Sequence, residues 1–139
     1  MRFSLSTGKR LRYFRTLRGM TQKQLGTAIG YPGQSADIRI AQYESGARKP
    51  KEDTVVRLSS FLGISPAALS VSQIDDETAL LHLLFSLEDS LFELSESSKQ
   101  PLLTVLTEWQ RMAQKKKNGE ITKAEYDEWR YHYPNGISF

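Results

Sequence analysis

The sequence predicts an all-α protein, and three observations lead to that fold class. Apolar residues recur at steps of three and four through most of the chain, as on one face of an α-helix. Good capping residues and glycines separate these stretches and leave only short connections. No stretch alternates apolar and polar residues as a half-buried strand does. We expect five short helices in about the first 70 residues and about three longer ones after them.

The first two predicted helices are bounded by residues that favour helix starts and ends. The first covers residues 8–18, and Gly19 follows it. Thr21 is a good N-cap for the second, over residues 22–29, which stops at Gly30.

The third predicted helix, residues 35–45, has two different faces. One carries an apolar stripe, formed by Ala36, Ile40 and Tyr43. The other carries side chains suited to base edges: Ser35, Ile38, Arg39 and Gln42. Arginine pairs with guanine, glutamine pairs with adenine, and isoleucine can meet the thymine methyl group. These residue types predict a helix that reads DNA, although they also fit an ordinary amphipathic surface helix.

Two further helices complete the N-terminal half, and their ends are again marked. Pro50 precedes a helix over residues 52–62, which should bury Phe61 with its other apolar residues. Ser65 and Pro66 supply an N-cap and a first-turn proline for a short fifth helix.

The charge of +3 divides unevenly along the chain. Residues 1–72 hold 12 Lys or Arg against 4 Asp or Glu, and residues 73–139 hold 7 against 12, so the halves carry +8 and −5. A basic half favours a polyanionic partner, because cations that neutralise phosphates release counterions. We expect the domain boundary near residues 71–73, with DNA on the first side and oligomerisation or partner binding on the second.

Four motifs together resemble the Cro/phage-repressor (XRE) helix-turn-helix family over residues 8–70. They are Leu-Arg-Gly-Met-Thr-Gln-Lys-Gln-Leu (17–25), Ile-Ala-Gln-Tyr-Glu-Ser-Gly (40–46), Arg-Lys-Pro (48–50) and Leu-Gly-Ile-Ser (62–65). The resemblance implies a lambda-repressor-like five-helix domain whose third helix enters the major groove.

The resemblance also implies roles for single residues. Gln42 and Arg39 match base-contacting positions, and Gln22 matches a glutamine that touches the DNA backbone. Arg15 and Glu44 match an arginine and a glutamate that pair inside the fold. The expected backbone contacts are Arg10, Gln22, Lys23, Arg48 and Lys49.

One departure from the family pattern concerns the connection before the reading helix. Between Gly30 and Glu44 this chain has about four residues more than the usual spacing of such motifs. Either the turn is longer, with Asp37 as N-cap, or the helix gains a turn capped at Ser35. Both residues are good caps, so the sequence leaves this choice open. For Asp37 itself we favour a capping role over a hydrogen bond from cytosine, because phosphates repel a carboxylate.

The acidic half predicts three helices with long apolar stripes. They cover residues 75–96, residues 99–117, and a segment that begins at Thr122, with a capping box to Glu125. The second should bury Leu102, Leu103, Leu106, Trp109 and Met112. Such stripes either close a second core or pair with a second copy of the chain, which would give a homodimer through residues 73–139.

Chemistry that would indicate an enzyme is missing from the pattern. The chain has no cysteine, which fits a reducing cytoplasm, and His82 and His132 lack metal-ligand spacing. No apolar run has the length of a membrane span, and no secretion signal is visible. We therefore expect no catalytic site, metal or cofactor.

The predicted function is a sequence-specific regulator of transcription, a repressor that binds palindromic double-stranded DNA as a homodimer. An alternative is an antitoxin-type interaction protein whose acidic half binds a partner protein. An RNA-binding module is disfavoured, because the aromatic residues do not cluster in the basic half.

Overall fold

The computed structural model describes residues 6–70, 74 and 76–135, and it confirms the all-α fold class. Residues 6–70 and 76–135 form eight helices and no strand. The expected domain boundary at residues 71–73 lies outside the described residues, as does Asp75. The helices are α1 (Thr7–Leu17), α2 (Gln22–Ala28), α3 (Ala36–Ser45), α4 (Glu52–Leu62), α5 (Pro66–Leu69), α6 (Glu77–Glu93), α7 (Glu96–Lys117) and α8 (Lys123–His132).

Side-chain caps fix several helix starts. The Thr21 hydroxyl accepts a hydrogen bond from Gln24 N at 3.1 Å, and the Gln24 side chain accepts one from Thr21 N at 2.8 Å. The expected capping box between Thr122 and Glu125 is also formed. These reciprocal bonds satisfy amide groups that a helix leaves without an internal partner.

The N-terminal core brings α1 to α5 together around fully buried side chains. The largest of them are Phe14, Leu11, Leu25, Ile40, Leu58, Leu62 and Leu69. Helices α2 and α3 cross closely, because Gly26 has no side chain to separate them. A Cβ on Gly26 would lie 2.4 Å from the Ala36 carbonyl oxygen. The start of the reading helix is thereby set directly against α2.

The last helix returns to the N-terminal domain. The Tyr131 ring belongs to the N-terminal core, at 4.8 Å from the Phe14 ring in an edge-on contact. Its hydroxyl shares a 2.7 Å hydrogen bond with the Tyr13 hydroxyl, and its carbonyl accepts from Ser65 N at 2.8 Å. Arg18 donates two hydrogen bonds to the Glu128 carboxylate, at 2.6 and 3.2 Å. Helix α8 therefore belongs to the acidic half of the chain but packs against the basic half.

Several apolar side chains that the periodicity assigned to the interior are exposed. Phe61 on α4 is 55% exposed, and Trp109 on α7 is 54% exposed although its Nε1 donates to the Tyr126 hydroxyl at 2.8 Å. Of the five residues expected to be buried on α7, only Met112 is. A small second core contains Met112, Ile121, Tyr126 and Trp129.

Helices α6 and α7 present an apolar groove to solvent. Its volume is about 480 Å³, and six leucines line most of it: Leu84, Leu87, Leu91, Leu102, Leu103 and Leu106. No residue whose burial is described on α6 is buried. Among the described residues, the apolar stripes of α6 and α7 therefore do not bury each other in a second core.

Candidate DNA interface

Helix α3 lies with its apolar stripe in the N-terminal core and its other face outward. Ala36 and Ile40 are fully buried and Tyr43 nearly so. On the outer side, Ile38 is 54% exposed, whereas Arg39 and Gln42 are half-buried. Ser35 is also partly exposed, so the structure leaves all four predicted base-reading side chains at the surface of the domain.

The start of α3 resolves the two alternatives for the longer connection. The helix begins at Ala36 with Ser35 at the N-cap position, so the alternative with Asp37 as N-cap is wrong and Asp37 lies inside the first turn. The Asp37 carboxylate accepts from Ile38 N at 2.9 Å, and its charge suits the positive end of the helix dipole. Ser35 occupies the N-cap position without capping, and its hydroxyl donates to the Pro32 carbonyl at 3.4 Å.

An ion pair ties α1 and α2 to the reading helix. Arg15 Nε lies 2.5 Å from Glu44 Oε1, and the two side chains are 14% and 6% exposed. Arg15 also donates to the Met20 carbonyl at 2.8 Å. Gln22 Nε2 donates to Glu44 Oε2 at 2.9 Å, so a residue expected at the DNA backbone is held by the same carboxylate. These bonds fix the angle between the first three helices.

The connection before α3 carries an aromatic residue that contacts the reading helix. The Tyr31 ring lies beneath the Arg39 guanidinium, with 5.6 Å between Cζ and the ring centroid. The Tyr31 hydroxyl shares a 2.7 Å hydrogen bond with the Tyr43 hydroxyl. Burial and this hydrogen bond raise the pKa of Tyr43, while Arg48 and Arg39 act to lower it. Tyr31 was not among the residues predicted for the interface, although an aromatic residue shortly before this helix and its arginine was the available signal.

The predicted backbone-contacting cations divide into two groups. Lys23, Arg48 and Lys49 are exposed and free to meet phosphates. Arg10 is engaged within the protein: its Nε donates to the Ala68 carbonyl at 3.1 Å, and its guanidinium lies 4.8 Å from the centroid of the Phe14 ring. Burial lowers the pKa of Arg10, because desolvation disfavours the charged form. Its contacts therefore make Arg10 part of the fold.

Two further arginines of the basic half are also engaged within the protein. Arg18 donates to the Leu62 carbonyl at 2.8 Å and pairs with Glu128. Arg57 donates to the Ile29 carbonyl at 3.1 Å, at the end of α2. The +8 charge of the first 72 residues therefore overstates what is available to a polyanion, since Arg10, Arg15, Arg18 and Arg57 serve the fold.

The described residues contain neither a metal-binding cluster nor a helix that could span a membrane. No group of three or more His, Asp or Glu side chains there is arranged to hold a metal ion. None of the described helices combines the length and hydropathy of a membrane span.

Comparison with known proteins agrees with the geometry of the N-terminal domain. A helix-turn-helix family model matches residues 11–69. No curated protein matches the chain. Among solved structures, the crystal structure of transcriptional regulator BswR is similar at 29% identity, with a TM-score of 0.47 over 73% of this chain and 92% of that one. The family match covers α2 and α3 and all four motifs, so residues 11–69 form a helix-turn-helix domain of the Cro/phage-repressor (XRE) type.

Proposed function

We propose that the protein is a sequence-specific DNA-binding regulator of transcription that represses in the cytoplasm, as a homodimer on a palindromic site. The observation that carries the proposal is the outer face of α3, where Ile38, Arg39 and Gln42 lie on a helix whose other face is locked in the core. A rigid helix with such side chains can enter the major groove without rearranging the domain.

Exposed cations beside this face support the proposal. Arg48 and Lys49 directly follow α3, and Lys23 lies on α2. Cations flanking a reading helix bind phosphates on both sides of the groove and set the register in which base contacts form. Phosphate contacts of this kind add affinity for any DNA sequence, whereas the base contacts of α3 add the preference for one sequence over others.

The homodimer is proposed to form through the exposed stripes of α6 and α7. Side chains at three-residue steps, Leu81, Leu84 and Leu87 on α6 and Leu103, Leu106 and Trp109 on α7, are each between 44% and 54% exposed. Burying them against a second copy would remove apolar surface from water.

Charge supports a second copy as the occupant of this surface. Helix α6 carries four acids and no Lys or Arg, whereas α7 ends in Lys115, Lys116 and Lys117. In a twofold arrangement the acidic helix of one copy can approach the basic helix end of the other. Two reading helices held about one DNA turn apart suit an inverted repeat.

Selection of binding sites from random duplexes tests the proposal. We expect the wild-type chain to recover an inverted repeat, which would report specificity and dimerisation together. Gln42→Ala should then weaken the selected site by about 1–3 kcal/mol and leave random DNA nearly unaffected. Gln110→Ala, an exposed glutamine on α7, is the matched control and should change neither.

Two results of this experiment would contradict the proposal. If no preferred sequence is recovered, the protein does not bind DNA sequence-specifically. If the recovered site is a single half-site without a repeat, the protein does not bind as a twofold dimer. Repression is tested separately, by transcription in vitro from a promoter that overlaps the recovered site. We expect added protein to reduce the transcript, and an increase would reverse the proposed direction of regulation.

The exposed groove also favours a second candidate, an antitoxin-type protein whose α6–α7 face binds a different protein. The test is purification of the full chain from its native host. A stoichiometric partner that remains bound through α6 and α7 would support this second candidate. Recovery of a homodimer alone would support the homodimer proposal.

A further inference from the structure

We propose that Tyr31 is a specificity-determining residue that positions the Arg39 guanidinium for base reading, a role that rests on the proposed DNA-binding function. Tyr31 does not lie on the reading helix. It comes from the connection that precedes the helix, and it touches that helix at two points, the guanidinium of Arg39 and the hydroxyl of Tyr43.

The Tyr31 ring is itself held in place. Its backbone N–H donates to the Gly26 carbonyl at 2.9 Å, where α2 ends, and its side chain packs against the N-terminal core. The hydroxyl at the far end of the ring bonds Tyr43, which is 5% exposed. Anchored at both ends, the ring is a fixed surface on which a flexible side chain can rest.

Arg39 is the side chain that gains from such a surface. It lies one helical turn before Tyr43, so the ring spans the gap between two residues on successive turns of α3. A guanidinium over an aromatic face is attracted by the ring's charge distribution. A free arginine must give up considerable rotamer entropy when it binds a base, and a side chain already confined gives up less.

The connection between α2 and α3 places Tyr31 ahead of the turn that leads into α3. Residues 33–35 form that turn, and Ser35 N donates to the Pro32 carbonyl at 2.9 Å. Tyr31 therefore meets α3 from a separate segment of the chain.

A double-mutant cycle on the selected site tests the inference. Tyr31→Leu removes the ring and keeps an apolar side chain, and Arg39→Ala removes the guanidinium. We expect Tyr31→Leu to weaken binding about 2- to 5-fold in the wild-type background, the range given by an exposed cation–π contact. It should have no effect in the Arg39→Ala background. Tyr31→Phe keeps the ring and should retain most of the affinity.

The base preference of each variant is the second measurement, because a purely structural role for Tyr31 would leave that preference unchanged. Arg39→Ala identifies the base pair that Arg39 reads, and Tyr31→Leu should reduce discrimination at that pair and at no other. Circular dichroism and urea unfolding establish that each variant is folded. In the free protein, the Arg39 side-chain proton resonances should be shifted upfield by the Tyr31 ring and lose that shift in Tyr31→Leu.

The outcomes separate this inference from the proposed function. Equal losses in both backgrounds, unchanged discrimination at the Arg39 pair, or Arg39 resonances without a ring shift would overturn the role of Tyr31 while specific binding by the wild type stands. A wild-type chain that binds all duplexes alike would overturn the proposed function, and the inference with it.

Discussion

The N-terminal domain and the α6–α7 segment carry apolar stripes of the same helical period, but the two regions cover them differently. Leu11, Phe14 and Leu25 are completely buried within the chain. Leu84 and Leu103, at equivalent positions in their own stripes, are 51% and 47% exposed. Period therefore identifies a helix and its apolar face, whereas only the neighbouring elements determine whether that face is covered. One region covers its apolar face within the chain, and the other leaves its apolar face exposed to solvent.

The largest expected effect tests whether the N-terminal domain depends on its interior polar contacts. Glu44→Ala should lower the free energy of unfolding by about 3–5 kcal/mol, because it leaves the nearly buried Arg15 without its counter-charge. Urea unfolding followed by circular dichroism, at one fixed protein concentration, measures this loss.

Asp53→Ala is the matched control for that variant. Asp53 and Arg57 form a solvent-exposed pair at 3.8 Å, and such pairs contribute about 0–1 kcal/mol. If both variants lose the same free energy of unfolding, Glu44 does not hold the first three helices together. The N-terminal domain would then not depend on its interior polar contacts.

The second prediction concerns the exposed face of α6. Leu84→Glu keeps a good helix former but places a charge in the apolar stripe. We expect the dimer to dissociate, and the affinity for an inverted repeat to fall about 100-fold towards that of a half-site, because the second binding event is no longer intramolecular. Sedimentation equilibrium measures the mass, and titration of full and half sites measures the affinity.

Phe61→Glu provides the control for Leu84→Glu, since Phe61 is equally exposed but lies on α4 of the N-terminal domain. It should leave the mass unchanged. A Leu84→Glu protein with the mass of the wild type would place the interface elsewhere.

The third prediction separates the two regions by their response to salt. Lys49→Ala should weaken binding to all duplexes alike and reduce the slope of log K against log salt by about one, because one phosphate contact is lost. Lys117→Ala removes an equally exposed lysine from the end of α7 and should leave the slope unchanged. A smaller slope for Lys117→Ala would extend the DNA-binding surface into the C-terminal half.

The smallest expected effect is a pH dependence at the junction of the two regions. Hydrogen bonds from Arg18 lower the pKa of Glu128 below its usual 4.5, with burial acting in the opposite direction. The ionised carboxylate therefore stabilises the fold above about pH 4.5, and this contribution is lost as the pH falls through the lower folded-state pKa. Glu128→Gln should be less stable than the wild type at pH 7, and the difference should shrink by pH 3. A constant difference would mean that the charge of Glu128 is not what holds α8.

The helices of the N-terminal half could be predicted closely from the sequence because their signals are local. Thr21, Gly46 and Ser65 mark ends through capping or through a left-handed backbone, with φ of 80° at Gly46. The outward face of α3 followed from the inward one, since Ala36, Ile40 and Tyr43 leave only one side for Ile38. The exact start of α3 stayed open in the sequence because Ser35 and Asp37 are equally good caps, and packing of α2 on α3 determines where the helix begins.

Contacts between distant segments could not be predicted in this way. Tyr13 and Tyr131 are 118 residues apart, and no local pattern links them. The charge of Arg10 suggested DNA just as that of Lys49 did, and only the position of the Ala68 carbonyl distinguishes them. Trp109 has the spacing of a buried residue, but it stays 54% exposed although its Nε1 donates to the Tyr126 hydroxyl of α8.

The return of α8 onto α1 and α5 has a consequence for how two such chains would be assembled. Because Tyr131 is fixed within the N-terminal core, α7 leads into α8 without a free joint between the surface proposed to hold a second copy and the domain that bears α3. The separation between paired reading helices would then be a built-in dimension of the fold. Operators whose half-sites are moved apart by one or two base pairs would be rejected by geometry, even though every base contact is preserved.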